Sequence, residues 1–216
     1  TIQRCYFNNQ VHFYGSDTIY NIIIKQCFIN SDLSRWGNST DGPVYNLHVS
    51  NCFIKGVTLE GGWYGNNLYE GTFTQNVVNY YIEGSNNINY YNNIIIGNFA
   101  QDDNTTSNVF SNIFTSPLPT WLSGGSNVYV DPVSVFTAEG STDGVLLLNP
   151  PSICPECYQG YDPGGVDDEE IGMFGGATPY VLSGIPNIPT VYELHSSPDV
   201  YQGDTTHVNI STRSNN

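Results

Sequence analysis

VSNCFIKG, residues 49–56, has two near copies upstream, IKQCFINS at 24–31 and IQRCYFNN at 2–9, so three of the chain's five cysteines share one local frame. The frame reads apolar, two residues, Cys, one residue, apolar. It continues downstream with Asn in place of Cys. The full series is Ile2-Cys5-Phe7, Ile24-Cys27-Ile29, Val49-Cys52-Ile54, Phe73-Asn76-Val78, Tyr90-Asn93-Ile95 and Val109-Asn112-Phe114, with successive central residues 22, 25, 24, 17 and 19 apart. Gly, Asn, Ser and Asp punctuate the intervals. A period near 20 built of short β runs and turns describes a solenoid in which each repeat is one circuit of the chain. Equivalent residues then stack at the interstrand spacing of about 4.8 Å. The central residues Cys5, Cys27, Cys52, Asn76, Asn93 and Asn112 should form one inward column. An inward Asn can bond the next coil's Asn and the turn backbone, and a buried Cys fills a similar space as a weakly polar hydrophobe.

Composition agrees with an all-β chain. Hydrophobic residues make up 39% and charged residues 12% of 216 positions, and the polar remainder is Asn, Ser, Thr, Gly and Tyr, a mix that favours strands and turns. The formal charge of −15, from 20 acidic and 5 basic residues, repels a phosphate backbone and argues against nucleic acid as a partner. No run approaches the roughly 20 apolar residues that cross a bilayer as a helix, so no transmembrane segment is expected. The low-lysine, Asn- and Tyr-rich acidic composition fits an extracellular or cell-surface location.

The lines NLHVSNCFIKG and INYYNNIIIGN resemble the recurring Ile-x-x-Asn-Asn-x-Ile pattern of the right-handed parallel β-helix proteins of the pectin-lyase-like superfamily, in its secreted bacterial form. The resemblance covers roughly residues 1–136 and implies a right-handed parallel β-helix, N-terminally incomplete because Ile2 already sits in a full repeat line. It does not imply one activity, since that superfamily holds lyases, hydrolases, tailspikes and adhesins. The segment DGVLLLNPPSICPECYQGYDPGGVDDEEIGMFGG, 143–176, resembles the closing passage of secreted β-helix proteins, and 137–176 is read as the last coil and cap. Residues 177–216 form a proline-rich extension with expected strands at Val191–Leu194 and Thr206–Thr212, running back along the solenoid or pairing as a small hairpin.

Three features invite a chemical reading. Three thiolates at Cys5, Cys27 and Cys52 would suit zinc, but no fourth ligand is in frame and apolar neighbours keep thiols protonated, so no metal site is expected there. Cys154 and Cys157 form a CxxC without a second copy, which leaves a local disulfide as the expected state and free thiols as the alternative. The acidic run Asp162, Asp167, Asp168, Glu169 and Glu170 could gather calcium, but no known calcium-loop spacing is present and a solvated loop is the plainer reading.

For catalysis, a hydrolase needs paired carboxylates and a lyase a base beside a charge neutraliser. Asp41 and Asp102-Asp103 stand several coils apart, and Arg4, Lys25, Arg35 and Lys55 share no column. Trp36, Trp63 and Tyr64 lie in Gly/Asn-rich excursions (SRWGNS, GGWYGNN), where an aromatic ring can stack on a sugar face or fold back into the core. The sequence therefore favours a non-catalytic module that binds a polysaccharide or cell-surface component, for adhesion or surface assembly. The rival is a polysaccharide lyase or glycoside hydrolase whose active site lies partly outside this chain.

Overall fold

The computed structural model describes residues 1–13, 16–35, 42–59, 68–83, 86–100, 107–118, 120–122, 125–138, 143–162, 169–182, 190–196 and 208–213. The chain divides into two compact units, Thr1–Tyr180 and Val181–Asn216. The first is a parallel β-solenoid. One sheet stacks Ile2–Gln3, Ile19–Lys25, Val44–Ser50, Leu68–Thr74, Asn86–Tyr91 and Asn108–Phe110 in chain order, all parallel. A second, also parallel, joins Tyr6–Phe7, Phe28–Ser34, Phe53–Thr58, Val77–Val78, Ile94–Ile95, Ile113–Phe114 and Val128–Tyr129, with Val11–His12, Tyr81–Glu83 and Asn98–Ala100 extending it around the coil.

Register places the apolar positions of the repeat in two inward rows. Ile2, Ile24, Val49, Phe73, Tyr90 and Val109 face one another from the first sheet. Phe7, Ile29, Ile54, Val78, Ile95 and Phe114 do so from the second. Both rows belong to one core cluster, in which residues such as Ile24, Ile54 and Tyr90 are fully buried.

Between the rows each coil turns through one residue in the left-handed region. Arg4, Gln26, Asn51, Gln75, Asn92, Ser111 and Ser126 have φ of 55°, 54°, 51°, 56°, 56°, 52° and 59°. This conformation costs a non-glycine residue, and Asn tolerates it best. What offsets the cost is the next residue, which the turn directs inward. Asn76, Asn93 and Asn112 are fully buried, and each backbone N–H in the column donates to the Oδ1 of the coil ahead: Asn76 to Asn93 at 3.0 Å, Asn93 to Asn112 at 2.9 Å and Asn112 to Asn127 at 3.1 Å. Each Asn Nδ2 also donates back to a carbonyl, Asn76 to Val49 O at 3.0 Å and Asn93 to Phe73 O at 2.8 Å. Asn127 is thus a seventh member, hidden from the repeat frame because Gly124 stands where an apolar residue was required.

The cysteines repeat the same pattern with weaker partners. Cys52 Sγ donates to Ser50 O at 3.1 Å and reaches Ile24 O at 3.9 Å, while Cys27 N donates to Cys52 Sγ at 3.4 Å. Cys52 N in turn donates to Asn76 Oδ1 at 3.0 Å, so thiol and amide ladders join without a break. Cys5, Cys27 and Cys52 are free thiols, and burial holds the Cys52 thiol well above its ordinary range. Cys52→Asn should therefore stay within about 1 kcal/mol of the parent in urea unfolding, since it supplies a better acceptor to Cys27 N. Cys52→Leu should lose about 1–3 kcal/mol through overpacking. Equal losses for the two would refute the equivalence of thiol and amide here.

The residues between column and inward row, Tyr6, Phe28, Phe53, Val77, Ile94, Ile113 and Val128, form an outward row on the second sheet, and most of it is apolar and buried. Its cover is the segment expected to cap the end. Val135, Cys154, Cys157, Ile171, Met173 and Tyr180 pack with Phe28, Phe53, Val77, Ile94 and Ile113 in a second apolar cluster. This flank strap is stitched to the left-handed corners: Gln26 Nε2 donates to Pro179 O at 2.6 Å, Asn51 Nδ2 to Gly175 O at 2.7 Å and Asn92 Nδ2 to Tyr161 O at 2.7 Å. Tyr180 donates to Asp143 Oδ2 at 2.9 Å, and burial followed by this bond raises its phenol. Burial also raises the Glu170 carboxyl. Beyond the last coil Tyr129, in register with buried Phe114, remains 52% exposed. The described residues of 143–162 and 169–176 thus include a segment that covers the apolar outward row of the second sheet.

In the second unit Thr190–Ser196 pairs antiparallel with Val208–Arg213, with an irregularity between Val191 and Glu193.

Candidate ligand-binding face

Among the described residues the strap meets the outward side of the first sheet at Tyr91 and Phe110, through Tyr161, while Tyr20 and Ile23 farther along it are exposed. The strands there bend at a second left-handed corner, Asn21, Asn46, Glu70 and Asn87, with φ of 57°, 54°, 62° and 54°. On one side of the bend Tyr20, Tyr45 and Tyr69 occupy equivalent register positions. The rings of Tyr20 and Tyr45 stack at 5.4 Å between centroids and 13° between planes, and Tyr20 is 60% exposed. At the bend Asn46 Nδ2 donates to Asn21 Oδ1 at 3.1 Å. Beyond it Ile23, His48, Thr72, Asn89 and Asn108 form the next outward row. In this row His48 Nδ1 lies 2.7 Å from Thr72 Oγ1, and Asn108 Nδ2 donates to Asn89 Oδ1 at 2.9 Å. A third row, Gln3, Lys25, Ser50, Thr74, Tyr91 and Phe110, ends in a stacked pair, Tyr91 and Phe110 at 5.3 Å, whose edge is met by Tyr161 of the strap at 5.2 Å from Phe110.

The face therefore combines aromatic rings with amide, hydroxyl and imidazole groups repeated at the coil spacing. That mixture suits a ligand with apolar faces and many hydroxyls, because rings take the former and amides both donate to and accept from the latter. Its charge is low. Among the described residues of these rows and the bend, Lys25, His48 and Glu70 are the ionisable groups besides the phenols, and Glu70 is the one carboxylate.

The aromatic candidates Trp36, Trp63 and Tyr64 lie outside the described residues, as do Asp41, Asp102, Asp103, Asp167 and Asp168. The structure scatters the four basic residues considered for a lyase. Arg4 Nε donates to Gln26 Oε1 at 3.2 Å, Lys55 Nζ stands 5.6 Å from the Tyr80 ring centre, and Arg35 is fully buried, donating to the carbonyls of Phe13 and Gly42. Among the described residues no group of three or more His, Cys, Asp or Glu side chains converges to hold a metal. Cys154 and Cys157 are joined as a disulfide, Cα atoms 5.4 Å apart, at the base of the strap. No described helix is long and apolar enough to cross a membrane. The tyrosine row was open to sequence reasoning, because Tyr20 and Tyr45 each stand seven residues before their column cysteine. Comparison with protein-family models, curated proteins and solved structures found no match to this chain.

Proposed function

We propose that this chain is an extracellular or cell-surface β-helix module of the pectin-lyase-like type, from a bacterial secreted protein, that binds a neutral polysaccharide without cleaving it and so serves adhesion or surface assembly. The observation that carries this reading is the stack of exposed Tyr20 on half-buried Tyr45 beside the Asn21–Asn46 and His48–Thr72 pairs. A linear glycan presents a repeating surface to a repeating surface, so several weak contacts add along the coil axis. A charge of −15 disfavours polyanionic glycans and makes a neutral chain the better ligand. The rival, a polysaccharide lyase or glycoside hydrolase, requires two carboxylates or a base with a charge neutraliser around one point, which the described rows of this face do not supply.

The test is a panel of neutral and acidic polysaccharides scored for retention and for release of reducing ends or unsaturated products. Retention of a neutral polymer without product is expected. The double variant Tyr20→Ala, Tyr45→Ala should weaken it roughly tenfold, the scale of an aromatic stack worth about 1 kcal/mol plus the lost contact area. Product release, or retention untouched by that variant, would refute the reading.

A further inference from the structure

Tyr20 and Tyr45 hold equivalent positions in adjacent parallel coils, so both side chains leave the sheet in the same direction. Their rings lie 5.4 Å apart with 13° between planes, which sets phenol beside phenol. The residue after each is a left-handed corner, Asn21 and Asn46, and the bond from Asn46 Nδ2 to Asn21 Oδ1 at 3.1 Å pins the two corners together. Tyr20 is 60% exposed, which leaves its ring open to solvent and free to tilt. Two other outward tyrosines are stacked differently: Tyr6 lies on Phe28 and Tyr91 on Phe110, partners without a phenol. Tyr91 meets a second phenol, that of Tyr161, only edge-on, at 88° and 6.2 Å.

Two phenols held side by side at a solvent-facing surface can be joined by oxidation. A peroxidase charged with peroxide takes one electron and the O–H proton from each phenol. The radicals carry spin on the ring carbons beside the oxygen, and a C–C bond forms between one Cε of each ring. Each of these carbons then gives up its hydrogen as a proton while its oxygen regains one, which restores both aromatic rings and both hydroxyls. The pair has lost two hydrogen atoms, and one peroxide has gained them to leave as two waters. Because the phenols are already placed together, the coupling is intramolecular and outruns the encounter of two chains. We propose that Tyr20 and Tyr45 form an oxidative cross-linking site, which takes peroxide as the oxidant through a one-electron peroxidase and yields a dityrosine bond between adjacent coils. The bond fastens strand Ile19–Lys25 to strand Val44–Ser50 on the outer side of the first sheet, side chain to side chain. This inference does not rest on glycan binding, since the link forms and is scored without any polysaccharide.

The experiment treats the full chain, dilute and concentrated, with hydrogen peroxide and a haem peroxidase, and reads dityrosine emission, intact mass and the peptide map. A monomer lighter by two hydrogen atoms is expected, its yield independent of protein concentration, with the peptides that carry Tyr20 and Tyr45 joined in the digest. Tyr20→Phe keeps a ring in the stack and removes one phenol, so the fold is retained while emission from the monomer should fall about tenfold, the proximity advantage being lost. Tyr6→Phe removes a phenol of similar exposure, 57%, from a stack with phenylalanine and should leave emission unchanged. Emission untouched by Tyr20→Phe, or lowered equally by Tyr6→Phe, overturns the proposal. A link mapped to another pair of tyrosines, or linked dimers in place of the linked monomer, overturns it as well.

Discussion

Asn93→Leu should destabilise the solenoid by about 4–6 kcal/mol, several orphaned polar groups at about 1–3 kcal/mol each with partial compensation. Asn93 accepts from Asn76 N and Nδ2, both at 3.0 Å, and donates to Phe73 O at 2.8 Å, Tyr91 O at 3.1 Å and Asn112 Oδ1 at 3.0 Å. Leucine removes every one of these while keeping the branch at Cγ. Asn76 is fully buried, so its N–H loses its partner where water cannot replace it. The loss also reaches the left-handed Asn92, whose conformation the inward residue helps to hold. At about 2–4 °C per kcal/mol for a chain of this size, the melting temperature should fall by roughly 10–20 °C. Asn93→Cys should cost about half as much, because a thiol can repeat the bond that Cys52 makes to Ser50 O. Circular dichroism melts of the two variants check this. An Asn93→Leu protein within 1 kcal/mol of the parent, as an order-of-magnitude bound, would mean that the amide ladder is decorative.

That ladder was the most legible part of the fold. The spacing of Cys5, Cys27, Cys52, Asn76, Asn93 and Asn112 encodes coil length directly, and the parallel register pairs the flanking apolar residues accordingly. The strap was harder to see, although its signal is present. In CFI, NVV, NII and NIF both residues after the column are apolar, and a strand apolar on both faces must be covered on both. Attention to the inward position alone leaves the outward one unexplained. Which segment supplies the cover is a long-range matter: Gln26 meets Pro179 and Asn51 meets Gly175 across more than a hundred residues, and no local periodicity records such pairings. The residues that the sequence singles out, Trp36, Trp63 and Tyr64, lie outside the described residues, and the described stack of Tyr20 with Tyr45 sits on strands and not in an excursion. Alternation along one strand shows which residues face out, but only the strap's position shows which outward row is covered.

Phe53→Ala tests that division of the outward surface and should cost about 3–5 kcal/mol, the usual range for truncating a buried phenylalanine. Phe53 is 7% exposed, stacks on Phe28 at 4.4 Å and packs in the cluster that holds Ile171, Met173 and Tyr180. Its truncation opens a cavity between coil and strap, a change that the close-packed surroundings relax only in part. Tyr6 is the internal control. It occupies the same outward row, stacks on Phe28 at 5.5 Å, yet is 57% exposed because the strap does not extend over it. Tyr6→Ala should therefore cost no more than about 1 kcal/mol. The two substitutions remove similar rings from equivalent positions two coils apart, so their difference isolates the contribution of the cover. Loss of the cover should also show before global unfolding, as faster amide exchange at Ile171 and Tyr180, whose N–H groups donate to Cys157 O and Met173 O at 2.8 Å each. Equal costs for Phe53→Ala and Tyr6→Ala, or unchanged exchange along 169–180 in Phe53→Ala, would show that the coils stand without the strap and that the second apolar cluster is not what holds it.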